Sequence, residues 1–393
     1  MIYFVMFIFF AFLAIRNDFL WQRGGIKALS NLALIMLICV SGFRYKVGGD
    51  TIGYMEYFDD IPYLWEVENF NFSLSSFDPL WILFSSLCKS IVDDYFFLQF
   101  VHSVVINVII FRFFKASTPY FSTAILIYFL FFYLYFTMEI MRESLAISMF
   151  LLAFPYYLKK RWLKYYLFAS LAFLFHSSAI IVFIFPLFSK VKLTNLSIIL
   201  LVPLILVLQY VVVYQPALLN IILFTDRLST KFEGYSQMSA TINGMIYYSF
   251  IYVFLPYLLV SYYRRFSANS ELFKNFHFLY FLLAAFFVAI TGFGRVLNYL
   301  TPFMIVYFAT FLNDFVKHAH FDRKVRPLFA ILICFVAFYP KIVYYLTNTS
   351  HLVQNTRKYN MYLPYTNMFT KEEYREREIM WRENFEYRRR ERN

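Results

Sequence analysis

Charge is scarce in this chain. Asp, Glu, Lys and Arg make up 15% of its 393 residues, well below the roughly one quarter usual in soluble domains. Cysteine is nearly absent. Cys39, Cys88 and Cys334 are far apart, and no CxxC or Cys/His cluster occurs. That excludes a disulfide framework and a thiolate metal site. No polar stretch is long enough to form a separate soluble catalytic domain, and no internal repeat is visible. The apolar N-terminus, residues 2–15, has no basic segment before it. It therefore reads as a retained span rather than a cleaved signal peptide.

Apolar and aromatic side chains fill the gap. The chain is 61% hydrophobic and 23% aromatic, with 53 Phe and 34 Tyr. A soluble fold cannot hide so much apolar surface, whereas a bilayer can, and Tyr suits its interfaces. The net charge of +12 is spread over short loops between apolar runs. That is a topology signal, and no nucleic-acid partner is expected.

A crossing helix needs about 20 residues, with about 17 as a lower limit. Ten apolar cores qualify with their flanks: 2–15, 29–40, 96–111, 120–136, 144–158, 196–214, 242–263, 276–293, 296–312 and 328–346. The loops 16–27, 112–118, 159–164, 190–192, 264–274 and 313–326 hold 18 Lys/Arg against 4 Asp/Glu, and are expected inside. The loops 44–78, 89–94, 137–143, 214–241 and 294–295 hold 7 Lys/Arg against 13 Asp/Glu, and are expected outside. Two consequences follow. The segment 79–92 joins two outer loops, so it is expected to be re-entrant or interfacial. The segment 165–188 joins two inner loops, so it is expected to enter and return, with a break near His176-Ser177-Ser178; the alternative is one long span. The fold class is thus all-α and polytopic, with about ten transmembrane helices plus re-entrant or interfacial segments. Residues 1–346 form the membrane domain, with outer loops 44–78 and 214–241. Residues 347–393 form a charged tail, whose part 371–393 reads as a surface helix.

Nearly every charged residue before the tail lies in a loop. Lys341 is the exception and can snorkel to the outer interface. Ion-coupled transporters keep carboxylates near the bilayer midplane, and this chain does not, so a site at the outer helix ends is favoured. Arg44 and Lys46 can bind phosphate, and Asp50, after Gly48-Gly49, can accept a proton from a sugar hydroxyl. The plainer reading is an interfacial anchor with a turn and a cap. Glu139, Arg142 and Glu143 begin a span outside. They suit an ion-paired helix start or an anion site. His176 can act as a base, a turn residue or a packing contact. Arg295, flanked by Gly292 and Gly294 and followed by Asn298 and Tyr299, can anchor the interface or bind an anion. Tyr359 to Tyr365 can pack on sugars or on headgroups.

In order, these strings resemble the EpsG family of Wzy-like polysaccharide polymerases. The resemblance rests on Arg44 with Val47-Gly48-Gly49-Asp50 and Tyr54, and on Arg142-Glu143-Ser144-Leu145-Ala146. It continues with Phe175-His176-Ser177-Ser178-Ala179, Arg295 with Tyr299, and Pro364-Tyr365. Gly49 stands where the family has Thr, Thr51 where it has an aromatic, and Glu143 where it has Gln. The resemblance implies a GT-C-like glycosyltransferase in the bacterial inner membrane, with its site facing the periplasm or exterior. The donor would be a glycan on undecaprenyl diphosphate, and the acceptor the non-reducing end of another lipid-linked repeat, in O-antigen, capsule or exopolysaccharide synthesis. It implies substrate binding by Arg44, Arg142, Arg295, Tyr54, Glu143, Tyr299 and Tyr365, with His176 or Asp50 as the base. No metal and no cofactor are expected. A chain-length regulator and membrane lipid are the expected partners. A lipid-linked oligosaccharide flippase and an O-antigen ligase are the competing readings.

Overall fold

The computed structural model describes residues 1–22, 24–72, 77–188, 295–318, 322–349 and 355–390, with scattered positions between 189 and 294. Apart from scattered positions and a π-helical turn over Ser249–Phe254, the expected spans 196–214, 242–263 and 276–293 and the expected loop 214–241 lie outside the described residues. The chain forms two compact units. One comprises Met1–Ile180 with Lys341–Asn393, the other Ile181–Pro340. Among the described residues the secondary structure is helical, with no named strand and one isolated bridge between Arg44 and Asn367.

In the first unit, α1 (Ile2–Leu13) continues as a π-helical turn over Ala14–Phe19. Then come α2 (Ile26–Gly42), α3 (Thr51–Asp59), α4 (Pro79–Ile91) and α5 (Tyr95–Ser117). These are followed by α6 (Phe121–Phe131), α7 (Tyr133–Met138), α8 (Met141–Leu158) and α9 (Trp162–Phe175). Among the described residues, four helical stretches are long and apolar enough to cross a membrane: Ile2–Phe19, Tyr95–Ser117, Arg295–His318 and Arg326–Leu346. At 1.5 Å per residue, the 23 residues of α5 extend about 34 Å, enough for a hydrocarbon core of about 30 Å. The 13 residues of α4 reach only about 20 Å, too short to cross, as the charge pattern required.

The surface of α1 carries the same message. Met6, Phe10 and Leu13 face inward, while Phe4, Ile8, Phe12 and Ile15 are exposed. A helix apolar on both faces belongs in hydrocarbon, not at a water interface. The chain is an all-α integral membrane protein.

Helix packing places polar groups inside. α8 lies along α5 and α9, α2 along α5, and α1 along α6. Between α2 and α5, Ser41 and Ser103 share a hydrogen bond, and Asn107 Nδ2 donates to Ser41 Oγ at 3.2 Å. Such bonds join helices where apolar contact gives no preference over lipid. At the other end of the unit, Asp18 accepts from Thr123 N at 2.7 Å and from its hydroxyl at 2.9 Å. That carboxylate satisfies an N–H in the first turn of α6.

The expected span 120–136 is interrupted. α6 stops at Phe131, Phe132 leaves helical geometry at φ −130° and ψ −23°, and α7 resumes at Tyr133. Tyr133 donates from its hydroxyl to Leu37 O at 2.6 Å. The helix at 162–175 also breaks where expected. His176 is extended at φ −159° and ψ 126°, and a 3-10 turn over Ser177–Ala179 leads into α10 (Ile180–Phe188). The fourteen residues of α9 span about 21 Å, short of a full crossing.

The second unit holds most of α10, α11 (Arg295–His318) and the first part of α12 (Arg326–Leu346). Phe308 of α11 packs on Phe338 of α12 with ring centroids 5.1 Å apart. The tail ends in α13 (Arg375–Arg390), the charged helix expected from the sequence.

Candidate functional site

The end of α2 turns sharply, and Arg44 makes the turn. Its guanidinium folds back on the helix end, donating to Ser41 O and, at 3.0 Å, to Val47 O. The third nitrogen lies 3.5 Å from Met141 Sδ. The last carbonyls of a helix lack internal partners, and here a cation supplies them. Arg44 is 0% exposed.

The glycine pair follows. Gly48 has φ +114°, and a Cβ there would lie 2.0 Å from Met138 O. A Cβ on Gly49 would lie 2.9 Å from Lys358 Nζ and 3.0 Å from the Glu139 carboxyl carbon. Only glycine lets this backbone meet the 138–139 segment so closely. Gly48 N–H donates to Met361 O at 2.9 Å, so it serves the fold. Thr51 Oγ1 completes the seam, donating to Val47 O at 2.7 Å and contacting Met138 O at 3.1 Å.

Asp50 then caps α3. At the far end of α3, the Lys89 ammonium donates to the carbonyls of Phe58, Asp59 and Ile61 at 3.1, 3.0 and 2.9 Å. A cation at a helix C-terminus suits both the dipole and the unpaired carbonyls. The C-terminal end of α3 is thereby fixed, and Tyr54 lies in the first turns of this helix. Its ring packs 5.3 Å from Trp81 and 6.2 Å from Phe77. Burial pushes the Tyr54 phenol above its ordinary value, and the adjacent Arg142 guanidinium pulls the other way.

Arg142 opens the first turn of α8. One guanidinium nitrogen is 3.4 Å from Asp78 Oδ2, and the guanidinium carbon sits 4.8 Å over the Phe77 ring. Its side chain is 23% exposed, in contrast to Arg44. Asp50 and Arg142 both act on Tyr54, so the structure brings these three expected residues together. Glu143, next to Arg142, is buried at 2% exposure.

Glu139 is the hub on the other side. It accepts from Tyr344 OH at 2.6 Å, from the Tyr362 hydroxyl, and pairs with Lys358 Nζ at 3.0 Å. Burial alone would raise this carboxyl, but the Lys358 ammonium and the two tyrosine hydroxyls outweigh it and hold it below its usual value. Lys341 Nζ lies 3.2 Å from the Tyr135 ring centroid and 4.5 Å from that of Tyr344.

The tail grips the same turn. Tyr45 N–H donates to Thr366 O, and Met368 N–H to Phe43 O, both at 2.9 Å. Tyr365 donates from its hydroxyl to Val40 O at 3.1 Å. Arg377, 1% exposed, donates to Thr366 Oγ1 at 2.9 Å and to Pro364 O at 2.5 Å. Burial pulls it down to about 10. Lys46 bridges Glu373 at 2.8 Å and Glu378 at 2.7 Å.

His176 starts the 3-10 turn, where its Nδ1 accepts from Ser178 N at 3.2 Å and lies 2.7 Å from Ser178 Oγ. Arg295, exposed, and Tyr299, fully buried, lie on α11 in the second unit. Among the described residues no three His, Cys, Asp or Glu side chains are grouped to share a metal ion.

Sequence reasoning missed Phe77, Asp78, Tyr344, Lys358 and Arg377. Asp78 had a signal, since Asp before Pro79 marks a helix start. Lys358 and Tyr344 had none, because their partner Glu139 is remote in sequence.

No curated protein and no solved structure matches the chain. A family model does match, over residues 27–367, nearly the whole chain. The turn at Arg44, the start of α8, the break at His176 and the 359–365 strip all fall within that span. The chain belongs to the EpsG family, a family of Wzy-like polymerase type.

Proposed function

We propose that this protein is a polysaccharide polymerase of the inner membrane, with about ten spans and a GT-C-like architecture. It transfers a glycan from undecaprenyl diphosphate to the non-reducing end of a second lipid-linked repeat, on the periplasmic or outer side. The acceptor hydroxyl attacks the anomeric carbon, the bond from that carbon to the diphosphate oxygen breaks, and the diphosphate leaves with the electron pair.

The observation that carries this reading is Arg142. It stands in the first turn of an 18-residue helix, 23% exposed, with Asp78 Oδ2 at 3.4 Å and the Tyr54 hydroxyl beside it. A helix start favours anions, and a guanidinium can exchange Asp78 for two phosphate oxygens. Stabilising the leaving diphosphate in this way is electrostatic catalysis and needs no metal ion. Arg295 is the second candidate for the same task. Arg44, with its nitrogens on backbone carbonyls, is better suited to shaping the turn that presents Asp50 and Tyr54.

For the proton, Asp50 is favoured over His176. His176 Nδ1 accepts from a backbone N–H, which puts its proton on Nε2 and leaves no lone pair for a substrate. Tyr54 contributes a hydroxyl beside Arg142, Glu143 and Tyr365 support the sugar path, and Tyr299 is a further candidate for sugar binding. A chain-length regulator is the partner that suits a polymerase.

The test uses purified protein with a lipid-linked repeat and a chelator. Longer glycan and released undecaprenyl diphosphate, both insensitive to the chelator, support the reading. Transfer to a lipid A core, or movement of the lipid without glycan growth, replaces it with a ligase or a flippase.

A further inference from the structure

His102 lies inside α5, fully buried, and had no part in the reading above. Its Nε2 is 3.0 Å from Met141 O and 3.2 Å from Ser144 Oγ. A carbonyl oxygen can only accept, so Nε2 carries the proton and Nδ1 does not. Nδ1 is buried and meets no hydrogen-bond partner. The imidazole is thus a neutral donor aimed at the residue that precedes Arg142.

Met141 is held from several sides. Its carbonyl takes the His102 N–H and the Ser144 hydroxyl, the latter at 2.9 Å. Its sulfur meets Arg44 at 3.5 Å and Tyr95 OH at 3.8 Å. Below, the Trp81 ring packs edge-on to His102 at 6.5 Å and also meets Tyr54 at 5.3 Å. Fixing Met141 fixes the direction of the next Cα–Cβ bond, which carries the Arg142 side chain. An error of about 1 Å there is enough to misplace a bidentate contact.

We infer that His102 is a positioning residue for Arg142, donating from Nε2 to Met141 O so that the first turn of α8 presents its guanidinium to the diphosphate of the lipid carrier. The inference rests on the proposed role of Arg142. It also explains why a polar ring is kept within an apolar helix, where it is costly.

The experiment measures binding of undecaprenyl diphosphate to purified full-length protein. Four variants accompany wild type: His102→Phe, His102→Gln, Arg142→Ala and the double variant His102→Phe/Arg142→Ala. Loss of one charge-assisted contact weakens binding by about tenfold or more, and both single variants His102→Phe and Arg142→Ala are expected to show it. His102→Gln places an amide N–H where Nε2 was, and is expected to bind as wild type. The double variant is expected to bind no more weakly than Arg142→Ala, because His102 acts through that arginine. Wild-type binding by His102→Phe, failure of His102→Gln to rescue, or multiplied losses in the double variant would overturn the inference while leaving Arg142 in place. Wild-type binding by Arg142→Ala would overturn the reading of the site itself, and the inference with it.

Discussion

Glu139 and Gly49 touch so closely that a methyl group on the glycine would stand 3.0 Å from the carboxyl carbon. This contact joins the turn after α2 to the start of α8. The same carboxylate ties in α12 through Tyr344 and the 358–362 strip through Lys358 and Tyr362. The site around Arg142 is therefore built on a seam between distant parts of the sequence.

The two glycines should respond unequally to substitution. Gly48→Ala sets a Cβ against a backbone carbonyl at 2.0 Å, with φ +114°. Neither obstacle can move cheaply, so a loss of about 2 kcal/mol or more is expected. At Gly49 the closest atom is the end of the flexible Lys358 side chain. Gly49→Ala should cost less. Thermal melts of both variants in detergent check the order, and a milder Gly48→Ala would contradict it.

Arg44 and Arg142 should separate stability from activity. Arg44→Met leaves the buried Ser41 carbonyl without its guanidinium donor and Val47 O with Thr51 Oγ1 as its remaining side-chain donor. About 3 kcal/mol of stability should be lost. Arg142, 23% exposed beside Asp78, Tyr54 and Phe77, should cost less than Arg44, about 1 kcal/mol, when replaced by Ala. Melting temperatures that fall equally in both variants would refute this division.

Acid should loosen the tail before it unfolds the helices. Glu373 is held below its ordinary value of 4.5 by its bond to Lys46. A lowered carboxyl stabilises the folded state above the unfolded value, and the gain disappears as pH falls through the folded value. Glu139 acts with the same sign. Lys46 is raised above its value of 10.5, so its contribution is complete below that pH and lost far above it. Protease cleavage near residue 371 should stay low from about pH 5 to 9 and rise below about pH 4. Unchanged cleavage across that acid range would count against the latch.

Much of the fold was legible because each spanning helix must satisfy its own backbone bonds over a fixed thickness. α5, α11 and α12 cover the apolar runs that marked them. The short α4 and the break at His176 followed from loop charge. The break at Phe132 did not, since no glycine or proline marks it. In the site, residues 50 and 54 read as one cluster and 142 as another, and only the family resemblance joined them. The inward turn of Arg44 was hidden, because an arginine reads the same whether it faces a phosphate or three buried acceptors. The pairing of Glu139 with Lys358 was hidden because nothing local encodes a contact between residues so far apart.

The most direct test of the central claim is a gel of surface glycan from a strain lacking this gene, complemented with wild type or with Arg142→Lys. Lysine keeps the charge but lacks the planar fork that grips two phosphate oxygens. The account predicts a ladder with wild type. With the variant it predicts a band of single repeats and at most about a tenth of the long chains, at equal protein level in the membrane. A full ladder from Arg142→Lys would contradict it.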